Sequence, residues 1–250
     1  MILTADGVEF SYRSDPVLAD VRFDVAPGEF LAVLGNNGAG KSTLLKCLNR
    51  ILKPHNGSVL VDEHDVRRLT RVQVAQQLGY VAQRTESGRM TVFDAVLLGR
   101  KPYIRWDASR HDHEVVERVM SRLGLEHLSL RYLDEISGGE LQKTAIARAL
   151  AQEPRVLLLD EPTSSLDLRN QLEVLDTVKR VTADERVAVV AVMHDLNLAL
   201  RYADAFLLLS GGTVFAAGGS EVISPENVGE VYGVSVSVAH VNNVPVVVPL

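Results

Sequence analysis

The stretch FLAVLGNNGAGKST (30–43) restricts the fold of this chain more than any other part of it. FLAVL (30–34) is a continuous apolar run, which is typical of a strand that is covered on both faces of its sheet. GNNGAGKS (35–42) fits the pattern G-x-x-x-x-G-K-[ST] in full, and the apolar spacing of LLKCLNRIL (44–52) predicts a helix after it. A buried strand, a glycine-rich loop and a helix in this order indicate a phosphate-binding loop, or P-loop.

The chemistry of this loop predicts nucleotide binding. Its glycines allow the backbone to curl so that successive N–H groups point at phosphate oxygens, and the positive end of the following helix adds to the attraction. We expect Lys41 to reach the β- and γ-phosphates and Ser42 to coordinate Mg²⁺. A glycine turn before an ordinary helix is the alternative. The expected phosphate-binding residues are Gly35, Asn36, Asn37, Gly38, Ala39, Gly40, Lys41, Ser42 and Thr43.

Length, charge and cysteine content limit the class of protein. With 250 residues, the chain can form one large core or two unequal lobes. A net charge of −6 argues against a protein that coats nucleic acid, because such proteins usually carry a basic face. The apolar runs are far shorter than the ~20 residues that span a bilayer. The single cysteine, Cys47, suits a reducing compartment, so we expect a soluble, intracellular protein.

Strand and helix patterns alternate along the chain. The apolar runs VLLLD (156–160) and VAVVAVMH (187–194) predict further buried strands, and AFLLLSGGTVFAA (205–217) predicts a hairpin. Between about residues 86 and 135 helical patterns replace the apolar strand runs, which indicates an inserted helical lobe. The whole pattern is typical of an α/β protein with a largely parallel sheet.

Two adjacent acids end one of the predicted strands. VLLLDEP (156–162) brings Asp160 and Glu161 to the carboxyl end, where open α/β sheets bind ligands. Asp160 suits a divalent metal, which prefers hard oxygen ligands, and Glu161 suits the orientation and polarisation of an attacking water. The alternative is a pair of acids that cap a following helix.

The stretch EISGGELQKTAIARAL (135–150) predicts a helix but has two glycines, which disfavour helix formation, at its start. From Leu141 onward it predicts a strong helix, yet Gly138 and Gly139 occupy the first turn, where each glycine costs roughly 0.5–1 kcal/mol relative to alanine. Ser137 and Glu140 have the spacing of a capping box, which explains a helix start without explaining two glycines. Absent side chains permit a close approach of backbone N–H groups to an anion at a helix N-terminus. We therefore expect a second anion site, used within one chain or between two chains.

Taken together, these motifs resemble those of the ATP-binding cassette (ABC) ATPases, in the same order and over nearly the whole chain. The matching elements are Tyr12, GNNGAGKST (35–43), Gln83 in GYVAQ, ISGGELQ (136–142), LLLDEP (157–162), SSLD (164–167) and His194 in VMHDLN. Ile136 stands where leucine is commoner in the family, a mild departure. The resemblance implies a P-loop NTPase core with a mostly parallel sheet, an N-terminal antiparallel β subdomain and an inserted helical subdomain. It implies one domain over residues 1–250, with the core at 1–85 and 153–250 and the helical subdomain at 86–152.

The resemblance also assigns roles to single residues. It implies that Tyr12 stacks on adenine, and that Gln83 contributes to the metal site and to catalysis. With Glu161 as catalytic carboxylate, His194 would act as the switch histidine. Asp167 would lie in the loop that crosses a dimer interface. In a homodimer, or beside another ATPase subunit, Ser137, Gly138 and Gly139 would contact the γ-phosphate of ATP that the other subunit holds with Mg²⁺.

The segment ESGRMTVFDAVLLGRKPYIRW (86–106) resembles the matching stretch in ATPases of importers for ferric siderophores, haem and cobalamin. In such systems a multi-span membrane permease inserts a short helix into a groove beside Gln83, and an extracytoplasmic binding protein supplies the cargo. The resemblance implies a peripheral position on the cytoplasmic side of the cell membrane, with no nucleic-acid partner. An exporter or other transporter cassette, and a soluble assembly ATPase such as one for iron–sulfur clusters, remain alternatives.

Overall fold

A computed structural model describes residues 1–83, 88–242 and 244–250. The predicted boundary between residues 85 and 86, and the beginning of the segment 86–106, lie outside the described residues. The strands are β1 (Leu3–Tyr12), β2 (Asp15–Val25), β3 (Phe30–Leu34), β4 (Asn56–Val61), β5 (His64–Asp65), β6 (Leu78–Val81), β7 (Val156–Asp160), β8 (Ala188–Val192), β9 (Ala205–Ser210), β10 (Thr213–Gly218), β11 (Val236–Val241) and β12 (Val244–Pro249). The helices are α1 (Lys41–Leu48), α2 (Arg71–Gln77), α3 (Val92–Leu97), α4 (Arg110–Leu123), α5 (Gly138–Leu150), α6 (Leu168–Glu185), α7 (Leu196–Tyr202) and α8 (Pro225–Tyr232).

The central sheet has the strand order β10-β9-β3-β8-β7-β6. All neighbours pair in parallel except the hairpin partners β9 and β10. This confirms the predicted mostly parallel sheet and the predicted hairpin. Because parallel strands end at the same edge, the loops after β3, β6, β7 and β8 meet there.

The central sheet is covered on both faces, which explains the continuous apolar runs. In β3, Leu31 and Val33 pack into one core with α1 and the N-terminal strands. Phe30, Ala32 and Leu34 point the other way, into a core with α3–α7. The alternation follows from the two-residue period of a strand. The first core also encloses Cys47, and burial raises the pKa of its thiol to about 12.

The N-terminal sheet is antiparallel and has the order β2-β1-β4-β5. It packs against α1, so this helix lies between the two sheets. The predicted α/β fold with an N-terminal antiparallel β subdomain is therefore confirmed.

The chain between β6 and β7 contains α3, α4 and α5 among its described residues. Arg100, only 2% exposed, ties this region together. Its Nε lies 2.9 Å from Oδ1 of Asp112 at the start of α4, and its Nη1 lies 2.8 Å from Oε2 of Glu153 after α5. The exact bounds of the predicted helical subdomain, 86–152, stay a prediction.

Several element boundaries differ from the sequence predictions. The helix predicted over 44–52 ends at Leu48, because the backbone turns left-handed at Arg50 (φ 53°) and the N–H of Ile51 bonds back to the carbonyl of Lys46. The periodicity analysis also missed α2, α7 and α8, which have seven or eight residues. A helix this short shows a clear period only where the flanking chain continues the apolar spacing, as Ile51 and Leu52 do after α1.

Within the three described ranges, no helix combines the length and the apolar character that crossing a bilayer requires.

Candidate nucleotide-binding site

The carboxyl edge of the central sheet collects most of the predicted site residues. The P-loop follows β3, and Asp160 ends β7. Gln83 and His194 each lie two residues beyond a strand, after β6 and β8. Residues far apart in the chain thus meet because their strands are neighbours in one parallel sheet.

The P-loop adopts a backbone that needs glycine at its two ends. Gly35 has φ 144°, and a Cβ atom there would lie 2.1 Å from the carbonyl oxygen of Leu209. Gly40 is left-handed (φ 98°) as the N-cap of α1, and a Cβ atom there would lie 2.8 Å from Cδ2 of Leu18. The loop geometry therefore depends on these two glycines irrespective of any ligand.

Lys41 begins α1 and is 6% exposed. Its Nζ donates hydrogen bonds to the carbonyls of Gly35 (2.6 Å) and Asn36 (2.9 Å), so the ammonium group is held inside the loop. Burial lowers the pKa of Lys41, while the negative charges of Glu161 and Asp160 act to raise it. An incoming phosphate would favour the charged form in the same way as these carboxylates.

Asp160 is 3% exposed, and each of its carboxylate oxygens accepts a hydrogen bond. Ser42 Oγ donates to Oδ1 over 2.8 Å, and the hydroxyl of Tyr80 on β6 donates to Oδ2 over 3.3 Å. Burial raises the pKa of Tyr80, and the nearby Asp160 charge adds to this effect, so its hydroxyl keeps its proton at neutral pH. Sequence reasoning gave Tyr80 no role, although it lies in GYVAQ beside Gln83, because nothing in that stretch indicates a contact with Asp160.

The donor set at Asp160 fits Mg²⁺. A hydroxyl and a carboxylate, Ser42 and Asp160, offer hard oxygen atoms beside the phosphate loop, as this ion prefers. The described residues contain no group of three or more His, Cys, Asp or Glu that could enclose a metal alone. Mg²⁺ typically binds through one or two protein oxygens plus phosphates and water, so a sparse protein set is what such a site needs.

Glu161 lies between Gln83 and His194. Nε2 of Gln83 donates to Oε2 of Glu161 over 2.5 Å, and Nε2 of His194 lies 2.5 Å from Oε1. The backbone of Glu161 is left-handed (φ 52°), which turns its side chain out of the strand direction, while Asp160 stays in register with Val192.

The alternative that the two acids cap a following helix does not hold, since α6 begins only at Leu168 with Asp167 as its N-cap.

A cleft of about 250 Å³ opens over the loop. It is lined by Val17, Asn37, Gly38, Gly40, Lys41, Ser42, Thr43 and Glu161. Ala39 is buried within the loop, where its N–H bonds to the carbonyl of Asn36. Six of the nine predicted phosphate-binding residues and the predicted catalytic carboxylate therefore line one cavity, and Gly35, Asn36 and Ala39 do not line it.

Tyr12 lies at the end of β1 and is 46% exposed. Its ring meets Phe10 edge-on at 4.9 Å between centroids, and Phe10 stacks on His55 at 5.5 Å. Tyr12 does not line the cleft over the P-loop, but its exposed face is available for stacking on a planar ring.

The paired glycines begin α5 behind a complete capping box. Ser137 Oγ accepts from the N–H of Glu140, and a Glu140 carboxylate oxygen accepts from the N–H of Ser137 over 2.8 Å. Gly139 is buried, and a Cβ atom there would lie 2.4 Å from Oδ1 of Asn170 on α6. Gly138 is exposed, with only an ordinary contact to Leu166 at 3.7 Å.

The structure thus gives one of the two glycines a packing role within the chain. Gly139 lets α5 approach α6, where Asp167 and Asn170 form the first turn. Among the described residues, no hydrogen bond or ion pair joins residues 137–139 to residues 35–43, and residues 137–139 do not line the cleft. In the described residues, the paired-glycine turn therefore lies outside the cleft over the P-loop and has no direct contact of this kind with the loop.

A sequence profile described as "ABC transporter" matches residues 18–164. An uncharacterised ABC transporter ATP-binding protein of Methanocaldococcus jannaschii is 54% identical over 250 residues, covering 100% of this chain and 98% of that protein. The ferric enterobactin transport ATP-binding protein of Escherichia coli is 34% identical, covering 99% and 94%. Relatives named as hemin import and cobalamin import ATP-binding proteins also match, and the chain spans 60% of the cobalamin relative's length.

The fold has close counterparts among solved structures. A metal-chelate type ABC transporter, solved in an inward-facing conformation, superposes with a TM-score of 0.87 at 32% identity. The alignment covers 100% of this chain and 97% of that one.

Proposed function

Because this chain belongs to the ABC transporter family, we propose that it is the ATPase subunit of an importer that moves a metal chelate through a partner permease. As an ABC ATPase, the chain binds ATP and hydrolyses it. The observation that carries the ATPase part of the proposal is the placement of Glu161, with Gln83 and His194 at its two oxygens, in the cleft formed by the P-loop.

The chain's own residues support a mechanism of positioning and electrostatics. Lys41 and the loop N–H groups would bind the β- and γ-phosphates. Glu161 would accept a hydrogen bond from the attacking water, and His194 would hold that carboxylate in place. Tyr12 would stack on adenine from the edge of the N-terminal sheet.

Ser42 and Asp160 are the residues that would hold Mg²⁺, and Gln83 would join them once it leaves Glu161. When bound, the ion would neutralise charge on the phosphates. In the described arrangement Ser42 donates to Asp160 and Gln83 donates to Glu161, so both side chains are already oriented toward the site.

We propose that hydrolysis requires two cassettes. The exposed N-terminal turn of α5, with Ser137 and Gly138, has backbone N–H groups and a positive helix end. Among the described residues, the one carboxylate hydrogen-bonded to residues 137–139 is that of Glu140 in the capping box. A second copy, or a related subunit, would present its P-loop-bound γ-phosphate to this turn, and the Asp167 loop would line the same interface. ATP would then join the two cassettes, and hydrolysis would release them.

A groove of about 1170 Å³ supports docking of the permease. Its lining includes buried Val59, Val74 and Leu78 and the exposed apolar side chains Ile51 and Leu98. Among the described residues that line the groove there is no Asp or Glu. Five of the lining residues are lysine or arginine, namely Arg50, Lys53, Arg67, Arg71 and Arg148. A helix ~10 Å wide and two turns long fills roughly 850 Å³, so the groove can take such a segment.

Tyr80 also lines the groove, and its hydroxyl donates a hydrogen bond to Asp160. This contact links a docked helix to the nucleotide site.

This docking would hold the chain at the cytoplasmic side of the membrane as a peripheral subunit. The cargo class follows from the relatives and the solved structure, which are named for ferric enterobactin, hemin, cobalamin and metal-chelate transport. The cargo, a ferric siderophore, haem or cobalamin, would pass through the permease after delivery by an extracytoplasmic binding protein.

Reconstitution tests the proposal. The chain is purified from native membranes with the subunits that accompany it, and ATP-driven uptake of a ferric siderophore, haem and cobalamin is measured in proteoliposomes. We expect uptake of one of these chelates, and its loss with Glu161→Gln. ATP hydrolysis with no chelate uptake would refute the cargo assignment, and recovery of a soluble scaffold instead of a permease would favour the iron–sulfur assembly alternative.

A further inference from the structure

The C-terminal segment 225–250 contacts the P-loop at one point and the helix that follows His194 at another. It comprises α8, followed by the antiparallel hairpin of β11 and β12. None of the nucleotide-binding motifs falls in this segment. Its described contacts nevertheless reach the P-loop on one side and the helix after His194 on the other.

The first contact joins the last turn of α8 to the start of the P-loop. The N–H of Gly35 donates to the hydroxyl of Tyr232 over 2.9 Å, and Nδ2 of Asn36 donates to the carbonyl of Val231 over 2.5 Å. Gly35 is buried, so its N–H needs a protein partner, and Tyr232 supplies it. Without this acceptor, the first residue of the P-loop would be free to adopt other orientations.

The second contact joins β12 to the beginning of α7. The N–H of Val247 donates to Oδ1 of Asn197 over 2.7 Å, and Nδ2 of Asn197 donates to the carbonyl of Val247 over 3.2 Å. The side-chain amide therefore pairs with β12 as a neighbouring strand would. Asn197 lies in the first turn of α7, three residues after His194, and its N–H also bonds to the N-cap Asp195.

We propose that segment 225–250 holds two parts of the site in place, the P-loop through α8 and residues 193–197, which include His194, through β12. Tyr232 and Asn197 are the positioning residues. The inference rests on the proposed ATPase mechanism and extends it to a segment outside the known motifs. Its physical basis is that small displacements of aligned groups strongly reduce catalysis, while the contacts themselves lie outside the cleft.

The two contacts predict different kinetic effects. Asn197 acts through His194, which is needed for the chemical step, so its loss lowers kcat and leaves the KM for ATP unchanged. Tyr232 acts through the phosphate loop, so its loss weakens nucleotide affinity and leaves kcat at saturation unchanged. A merely structural role would lower thermal stability without separating kcat from KM.

The Asn197 contact is tested with Asn197→Ala and Asn197→Asp in the full chain. We expect Asn197→Ala to lower kcat about tenfold. Asn197→Asp keeps an acceptor for the N–H of Val247 and should recover part of this loss. The control is Tyr202→Phe at the far end of α7, which removes a hydrogen bond to Asp176 and should leave kcat unchanged. Equal kcat values for wild type and Asn197→Ala would overturn this half of the proposal.

The Tyr232 contact is tested with Tyr232→Phe, which removes only the hydroxyl. We expect the dissociation constant for ATP to rise about three- to tenfold, because the Gly35 N–H loses its acceptor. Tyr202→Phe is again the matched control. Unchanged ATP affinity in a folded Tyr232→Phe protein would overturn this half. Absence of hydrolysis in the wild type would instead count against the proposed function, so the two failures are distinguishable.

Discussion

Nε2 of His194 lies 2.5 Å from Oε1 of Glu161, although 33 positions separate the two residues in the chain. The contact exists because β7 and β8 are parallel neighbours whose ends coincide at Asp160 and Val192. Gln83 occupies the other oxygen of the same carboxylate. Glu161 is thus held on both sides by side chains of its own chain, which suits the role proposed for it in aligning a water.

Glu161→Gln should retain nucleotide affinity and slow turnover by ~10²–10⁴-fold, because the amide cannot accept a proton from the water. ATP should then accumulate a closed dimer. Steady-state ATPase assays and size-exclusion chromatography with ATP measure the two effects. Normal turnover in this variant would show that Glu161 is not the catalytic base.

Gly138→Asp should spare ATP binding by the monomer and prevent ATP-dependent dimerisation. The added carboxylate would repel the γ-phosphate of the other subunit at an exposed turn that has room for a side chain. Gly139→Asp should have the same effect on dimerisation. It should also lower the melting temperature, because its side chain collides with Asn170. Dimerisation of Gly138→Asp as tight as that of the wild type would contradict the assignment of this turn.

Tyr80→Phe should weaken Mg²⁺ binding to the nucleotide complex about three- to tenfold, because Asp160 loses the hydroxyl at Oδ2. ATP affinity in EDTA should not change, since no phosphate contact is removed. Titration of Mg²⁺ against a fluorescent nucleotide complex measures both quantities. Asp160→Asn is the positive control, and a Tyr80→Phe titration identical to that of the wild type would remove Tyr80 from the metal site.

The Arg100–Asp112 pair should make the helical region sensitive to acid. Although burial alone would raise the pKa of Asp112, hydrogen bonds from Ser109 and Arg100 lower it to about 2. Its stabilising contribution is therefore complete above the ordinary pKa of 3.8 and is lost as pH falls toward 2. Asp112→Ala should cost about 2–4 kcal/mol of unfolding free energy at pH 7, and the difference from wild type should shrink at pH 3.

Urea denaturation at the two pH values measures this difference. The control is Glu114→Ala, which breaks the exposed pair with Arg110 and should cost less than about 0.5 kcal/mol at either pH. A cost for Asp112→Ala that is equal at pH 7 and pH 3 would contradict the lowered pKa of Asp112.

Motifs with strict spacing allowed the P-loop, the two acids and the paired glycines to be located from sequence. The buried strands were equally clear, because a strand covered on both faces is apolar at every position, as in β3. Tyr80 and Asn197 lie within the quoted stretches GYVAQ and VMHDLN, and Tyr232 lies in no motif, but nothing in the sequence assigns a contact to any of the three. Each acts through one hydrogen bond or one pair of hydrogen bonds to a residue distant in sequence, and only the folded topology brings those partners together.

The paired glycines show a different limit. Sequence reasoning attributed both to one cause, an anion at the helix N-terminus. In the structure the buried Gly139 also lets α5 approach α6 at Asn170, a packing requirement that no local pattern reveals.

A mixing experiment tests most directly whether one active site is built from two chains. Lys41→Ala removes the lysine proposed to bind phosphate but keeps the α5 turn, whereas Gly138→Asp should disable that turn but keeps the P-loop. Each variant alone should be inactive. Their equimolar mixture should regain about a quarter of the wild-type ATPase rate with random pairing, and up to about half if neither variant pairs with itself, since every mixed dimer contains one intact site of two. A mixture no more active than its separate components, alongside wild-type hydrolysis that does not depend on protein concentration, would contradict the two-chain site.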